Sequence, residues 1–158
     1  MRVEVVRSKK RRKTISALQV SDDLLRVSIP ASCTKAEEQH WVDEMLKRFA
    51  KRALTDKIDL ERRARELADQ HGFPYPASVR WVDNQHARWG SCTPVDGTIR
   101  LSSRMVDFPR WVIDSVLVHE LAHLIEHGHG PRFDALCARF PLTERATGYL
   151  LAKGLDGD

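Results

Sequence analysis

Cysteine is scarce in this chain: Cys33, Cys92 and Cys137 are odd in number and far apart. They supply neither a disulfide framework nor a paired-thiolate zinc site, and they fit a reducing, cytoplasmic setting. Long apolar runs are also missing. Nothing approaches the roughly 20 residues of a membrane-spanning helix, so no membrane partner is expected. The N-terminus is charged but lacks the apolar segment of a signal peptide, which argues against export by that route.

What remains is ordinary for a soluble globular protein: 158 residues, 42% hydrophobic and 30% charged, enough for one domain with a real core. Charge is unevenly spread. Residues 1–70 hold 17 Lys/Arg against 12 Asp/Glu, whereas residues 71–158 hold 9 against 10.

Residues 3–7, 14–20 and 24–29 read as three strands from β-branched content and partial alternation, with Ser21-Asp22-Asp23 as the second turn. The first connection, SKKRRK, reads as a solvated hairpin tip. Its Lys9, Lys10, Arg11, Arg12 and Lys13 also make it a candidate contact for nucleic acid. No aromatic residue is interleaved for base stacking, which weakens a single-strand-binding role. Thr34-Lys35-Ala36-Glu37 is a capping-box signature opening a helix to about Ala53, with Trp41, Met45, Leu46 and Phe49 as its core stripe. A second helix is expected from Ile58 to His71, stopped by Gly72, with Arg62, Arg63 and Arg65 as a solvated face. FPYPAS (73–78) follows as a rigid linker.

Three more strands are expected at 79–83, 87–92 and 98–102, the last two joined by a turn from Pro94 to Gly97. Such a hairpin suggests a sheet edge along a cleft, where a peptide binds through main-chain hydrogen bonds. Gly90 would allow another backbone to approach. Arg88 and Trp89 either pack structurally or line the cleft.

The chemistry concentrates between Asp107 and Phe133. There His119, Glu120 and His123 form H-E-x-x-H, and four of the seven histidines fall within eleven residues. Asp107 is the expected N-cap and Pro109 suits the first turn. From Trp111 to Ile125 the segment is apolar on nearly all sides, so its helix is a buried one. Three ionisable side chains there need compensation, which a bound cation provides. Four residues along a helix rise about 6 Å and turn about 40° past a full circle, so His119 and His123 share a face and can both ligate zinc. Glu120 sits about 100° round from His119, beside the metal, where it can take a proton from an activated water.

His127 lies about 12 Å along the axis from His119 on a straight helix, too far to share its coordination sphere. It reads as a solvated helix end, or alternatively as a group polarising substrate. His129, flanked by Gly128 and Gly130-Pro131, can fold back as the third ligand after a helix ending near His127. This is not a metzincin: Glu126 stands at the glycine of H-E-x-x-H-x-x-G-x-x-H, and no methionine follows His129. Two short helices, at 131–140 and 144–153, complete the chain. Thr143 can cap the second, Gly154 can end it, and the terminal LDGD should fray.

RWGSC at 88–92, Gly-x-Ile-x-Leu at 97–101, HELAH at 119–123 and His129-x-Pro-Arg-Phe together resemble the YgjP-like metallopeptidases, a zincin group akin to the SprT and WLM proteases. The basic three-stranded beginning ending in Ile29-Pro30 fits as well, so the resemblance covers nearly the whole chain. It implies a zincin-like α+β fold: a three-stranded antiparallel N-terminal segment, helices, a short mixed or antiparallel sheet and a central H-E-x-x-H helix. It implies one domain over 1–158, with a basic β-rich part and helix at 1–53 and a catalytic core at 54–158. One zinc ion would be held by His119, His123 and His129, with Glu120 as catalytic base hydrolysing a polypeptide. Arg88, His127 and Arg132 are the candidates for stabilising the oxyanion. Two other readings compete: a protease docked on nucleic acid through residues 9–13, and a zinc-stabilised interaction module without turnover.

Overall fold

The computed structural model describes residues 1–154, and the expected fraying of LDGD at 155–158 lies outside them. Two compact units divide the chain, Met1–Ala53 and Leu54–Asp158.

In the first unit, β1 (Arg2–Ser8), β2 (Ser16–Ser21) and β3 (Leu24–Pro30) form one sheet in the order β1-β3-β2. The expected antiparallel segment is only half right. β2 pairs antiparallel with β3, but β1 pairs parallel with it, from Arg2 opposite Leu24 to Ser8 opposite Pro30. The reason lies in β3. Its Leu25, Val27 and Ile29 are fully buried, the richest apolar face of the three strands, so it takes the centre. Residues 9–15 are therefore not a hairpin tip but a connection between two strands that do not touch. Over the inner face lies α1 (Lys35–Thr55), with Met45 buried and Trp41, Leu46 and Phe49 packed around it. The capping box forms: Thr34 N–H donates to Glu37 at 2.7 Å, and Glu37 N–H donates to Thr34 Oγ1 at 3.2 Å. The Thr34 N–H first and then its hydroxyl, both donating to the carboxylate, hold Glu37 below its usual range.

The second unit opens with α2 (Leu60–His71), capped by Asp59, which accepts from Arg62 N–H, and stopped by Gly72 at φ 71°. Its sheet contains β4 (Ser78–Val82), β5 (Gly90–Thr93) and β6 (Thr98–Ser102) in the order β4-β6-β5, with β4 parallel and β5 antiparallel to β6. The strand expected at 87–92 begins only at Gly90. Residues 83–89 are a loop held by the chain after β6: Ser102 N–H donates to Trp89 O at 2.8 Å and Arg104 Nη1 to His86 O at 3.0 Å.

At the centre lies α3 (Arg110–Ala122), flanked by α2, the sheet, α4 (Pro131–Cys137) and α5 (Thr143–Ala152). Ten of its thirteen residues are buried, as its unbroken apolar sequence requires. Its start differs from expectation. Pro109 is the N-cap, with no side-chain capping bond, and Asp107 is left outside. Nor does Thr143 cap α5: it is the first helical residue, and its hydroxyl donates to Cys137 O at 2.7 Å. Buried Asp114 is compensated by Arg63, whose Nε and Nη2 each donate to the carboxylate at 2.8 Å. Arg63 thus leaves the solvated face expected for it, because a buried carboxylate needs a partner.

Candidate metal centre

α3 ends at Ala122, earlier than its apolar run suggested, and His123 occupies the C-cap with helical backbone angles. Leu124 N–H donates to Leu121 O, and Ile125 and Glu126 N–H donate to Ala122 O, closing a tight last turn. This early stop carries the chain outward at His127 and returns it through Gly128 to His129. The i, i+4 pair on one helix and a third imidazole from the returning loop converge. One ring nitrogen from each of His119, His123 and His129 lies within 4.8 Å of the others. Between His119 Nε2 and His129 Nε2 the distance is 3.4 Å.

That spacing discriminates. Two imidazole nitrogens at about 2.0–2.1 Å from one tetrahedral zinc stand about 3.3 Å apart, so the pair has the separation that zinc ligation demands. His123 shows how its ring is set. Its Nδ1 lies 3.2 Å from Glu126 O, a carbonyl that can only accept, so Nδ1 carries the proton and Nε2 is left as the ligand atom. Below the imidazoles lies Phe133, whose ring centroid is 4.8, 4.4 and 4.6 Å from those of His119, His123 and His129. An apolar plate under three imidazoles limits their tilt and keeps water from one side. The donor set therefore fits a zinc ion.

Glu120 is 3% exposed, the most buried carboxylate in the centre. It has room because of Gly90. A Cβ on Gly90 would stand 2.5 Å from Glu120 Oε1 and 3.0 Å from Glu120 Cδ. The space at this glycine is taken up by the Glu120 carboxylate. Trp89 is buried, edge-on to Phe108 at 5.2 Å and covered by the Arg104 guanidinium, and it also lines a small cavity beside Glu120.

A second, wider cavity of about 360 Å³ is lined by Arg88, Cys92, Glu120, His123, His127 and His129. Cys92 is half-buried there: burial first, then the Glu120 and Asp96 carboxylates, push its thiol up to about 11. Arg132 is set apart, exposed, with Nε 3.5 Å from Glu126 Oε2, and it lines neither cavity. Lys9, Lys10, Arg12 and Lys13 are exposed in the first unit and Arg11 is half-buried. Sequence reasoning missed Phe133 as the floor and the Glu126 carbonyl as the support of His123. The first left a trace, an apolar residue four beyond His129; the second left none, because a carbonyl belongs to every residue.

Comparison with known proteins agrees with this geometry. The family model of the YgjP-like metallopeptidase domain matches residues 4–150, and the chain belongs to that family. Two solved structures share the fold. One is the metallopeptidase zymogen abylysin of Pyrococcus abyssi, with 19% identity and a TM-score of 0.55 over 62% of this chain and 98% of that one. The other is the zymogen jannalysin of Methanocaldococcus jannaschii, with 16% identity and a TM-score of 0.51 over 61% and 97%. No curated protein matches the chain. A metallopeptidase family implies polypeptide substrates.

Proposed function

We propose that the protein is a zinc-dependent peptidase of zincin-like fold, one domain whose catalytic core is residues 54–158. The observation that carries this reading is the 3.4 Å approach of the His119 and His129 imidazole nitrogens, with buried Glu120 next to His119 in sequence. His119, His123 and His129 would hold the metal through ring nitrogens, with His123 oriented by the Glu126 carbonyl. A zinc ion there supplies a Lewis acid that polarises the scissile carbonyl and lowers the pKa of water toward about 7.

The chain's own groups do the rest. Glu120 takes the proton of the attacking water and delivers it to the departing amine, so the carboxylate ends as it began. Its burial in the slot made by Gly90 fixes it in one position. Arg88 and His127, both on the wider cavity, are the groups able to meet the negative charge that develops on the carbonyl oxygen. The three cysteines, all unpaired, are compatible with a cytoplasmic protein.

Glu120→Gln is the decisive variant. Zinc content should stay near one ion per chain while hydrolysis of an unstructured polypeptide falls by at least about a hundredfold. Equal turnover by parent and variant would remove the enzyme reading. A parent that holds zinc yet cleaves nothing would leave a zinc-stabilised interaction module. The largely exposed basic run at 9–13 supports a second reading, in which the protease works while docked on nucleic acid.

A further inference from the structure

Two cavities meet at Glu120, and the mechanism above uses only the wider one. The smaller, of about 130 Å³, lies between α3, α5 and the start of β5. Ser115 and Val116 stand one helical turn before His119 and Glu120, so all four face it. From α5 come Thr143, Thr147, Leu150 and Leu151, an i, i+4, i+7, i+8 stripe turned to the same space.

Resting on the peptidase reading, we propose that this cavity is the specificity pocket: it takes one medium-sized apolar side chain of the substrate residue next to the scissile bond. The position follows from the shared walls. Glu120 and His119 line the cavity and belong to the reacting centre, so a chain whose carbonyl lies at the metal has a neighbouring side chain at the mouth.

The chemistry follows from what the walls offer. Among the described residues Glu120 is the sole carboxylate of the lining, and no Lys or Arg belongs to it. An acidic side chain would meet that carboxylate, and a basic one would compete for the group that must carry the proton. Burying either unpaired is costly. The threonine protons are already committed: the single Thr143 hydroxyl proton is shared between Cys137 O and Phe140 O, and Thr147 Oγ1 donates to Thr143 O at 3.0 Å. Val116, Leu150 and the Trp89 ring supply apolar wall. In size the space sits near the roughly 150 Å³ of an engineered apolar cavity that holds benzene. Leucine, isoleucine and methionine side chains fit this volume, and an indole does not.

The test uses the zinc-loaded full chain and a peptide library varied at the positions flanking a cleavable bond, read by mass spectrometry. The parent should prefer Leu, Ile or Met over Ala at one flanking position by roughly 10–200-fold, as methylene discrimination allows, and reject Asp and Lys more strongly. Thr147 and Leu151 are exposed on the lip, so substituting them should spare the fold. Thr147→Phe should move the preference to Ala or Gly, and Leu151→Ala should admit Trp. A parent indifferent at both flanking positions, or both variants keeping the parent profile, would overturn the pocket.

Should the zinc-loaded parent cleave nothing, the peptidase reading fails and the pocket is read directly. N-acetyl-leucinamide, titrated into Glu120→Gln protein, should shift the methyl resonances of Val116, Leu150 and Leu151, and the acetylated aspartate amide should not. No shift with either compound sinks the pocket independently of turnover.

Discussion

The two sheets of this molecule have the same topology. In each, the first strand runs parallel to the third, and the second strand pairs antiparallel with the third on its other edge. What differs is the second strand and the loop that leads into it. β2 begins with exposed Ser16 after the basic connection 9–15, and it leaves Leu18 and Val20 on the surface. β5 begins with buried Gly90 after a loop tied down from β6 and the turn beyond it. Ser103 Oγ donates to Asp83, Ser102 Oγ donates to Gln85 O at 3.1 Å, and Arg104 and Ser102 N–H hold His86 and Trp89. Topology alone makes no site. The site comes from a loop with its backbone fixed and a glycine where a carboxylate must enter.

Gly90→Ala tests that difference most directly. The new Cβ meets the end of a flexible side chain rather than backbone, so the fold should survive while the Glu120 carboxylate moves. A displacement near 1 Å costs about a hundredfold in turnover. Hydrolysis should drop by that factor with the melting temperature and zinc content near the parent values. Ser16→Ala, at the matching position of the other sheet, should change neither. If Gly90→Ala retained full turnover, the glycine would not be what admits the carboxylate.

The helices packed in the two units are braced differently, and stability measurements can sharpen this. In the second unit the Asp114 side chain is 7% exposed and its partner Arg63 is 24% exposed. In the first, Arg7 and Glu38 form a more solvated pair, 41% and 27% exposed, at 2.6 Å. Breaking a buried pair costs about 3–5 kcal/mol. Arg63 keeps Glu66 at 2.8 Å and some solvent, so Asp114→Ala should cost nearer about 2 kcal/mol. Glu38→Ala should cost less than about 1 kcal/mol. Equal losses in chemical denaturation would mean that burial does not separate the two pairs.

The contrast also shows what sequence can carry. The H-E-x-x-H helix, the return of His129 and the capping box at Thr34 were legible, because each is a short-range pattern with a direct geometric consequence. The parallel pairing of β1 with β3 was not. Hairpin reasoning assigns neighbours by sequence, whereas the order was decided by which strand had the most apolar surface to bury. Arg63 was misread for a similar reason, since its partner lies fifty-one positions away on α3. The pocket stripe on α5 looked like any amphipathic helix. Only its placement against Ser115 and Val116 gives it a use.

A smaller effect is expected from acid on the second unit. His71, at the end of α2, has a buried Nε2 with no hydrogen-bond partner among the described residues. Desolvation first, then the nearby Arg63 and Arg139 charges, lowers its pKa from the ordinary 6.5, outweighing the opposing hydrogen bond with Arg139. The sign follows from linkage. The unfolded chain binds this proton first as pH falls, so the contribution is present above about 6.5 and is lost as pH falls through the lower folded value. Melting temperature should decline from pH 7.5 to pH 5, and His71→Leu should flatten part of that decline. An unchanged slope in the variant would assign the acid response to other groups.

The smallest effect on hydrolysis should come from the loop that leads into β2. Replacing Lys9, Lys10, Arg11, Arg12 and Lys13 with serine removes five positive charges from the unit without the metal centre, most of them exposed. Cleavage of a short neutral peptide should stay within about twofold, because such a substrate carries no charge for the loop to attract. Binding to a DNA or RNA duplex, if the loop serves that purpose in the parent, should weaken steeply with salt and vanish in the variant, since each phosphate contact contributes about 0.9 to the logarithmic slope. A parent whose duplex binding is negligible at low salt would confine the loop to solubility. The first sheet would then stand as the same topology with no chemistry placed on it.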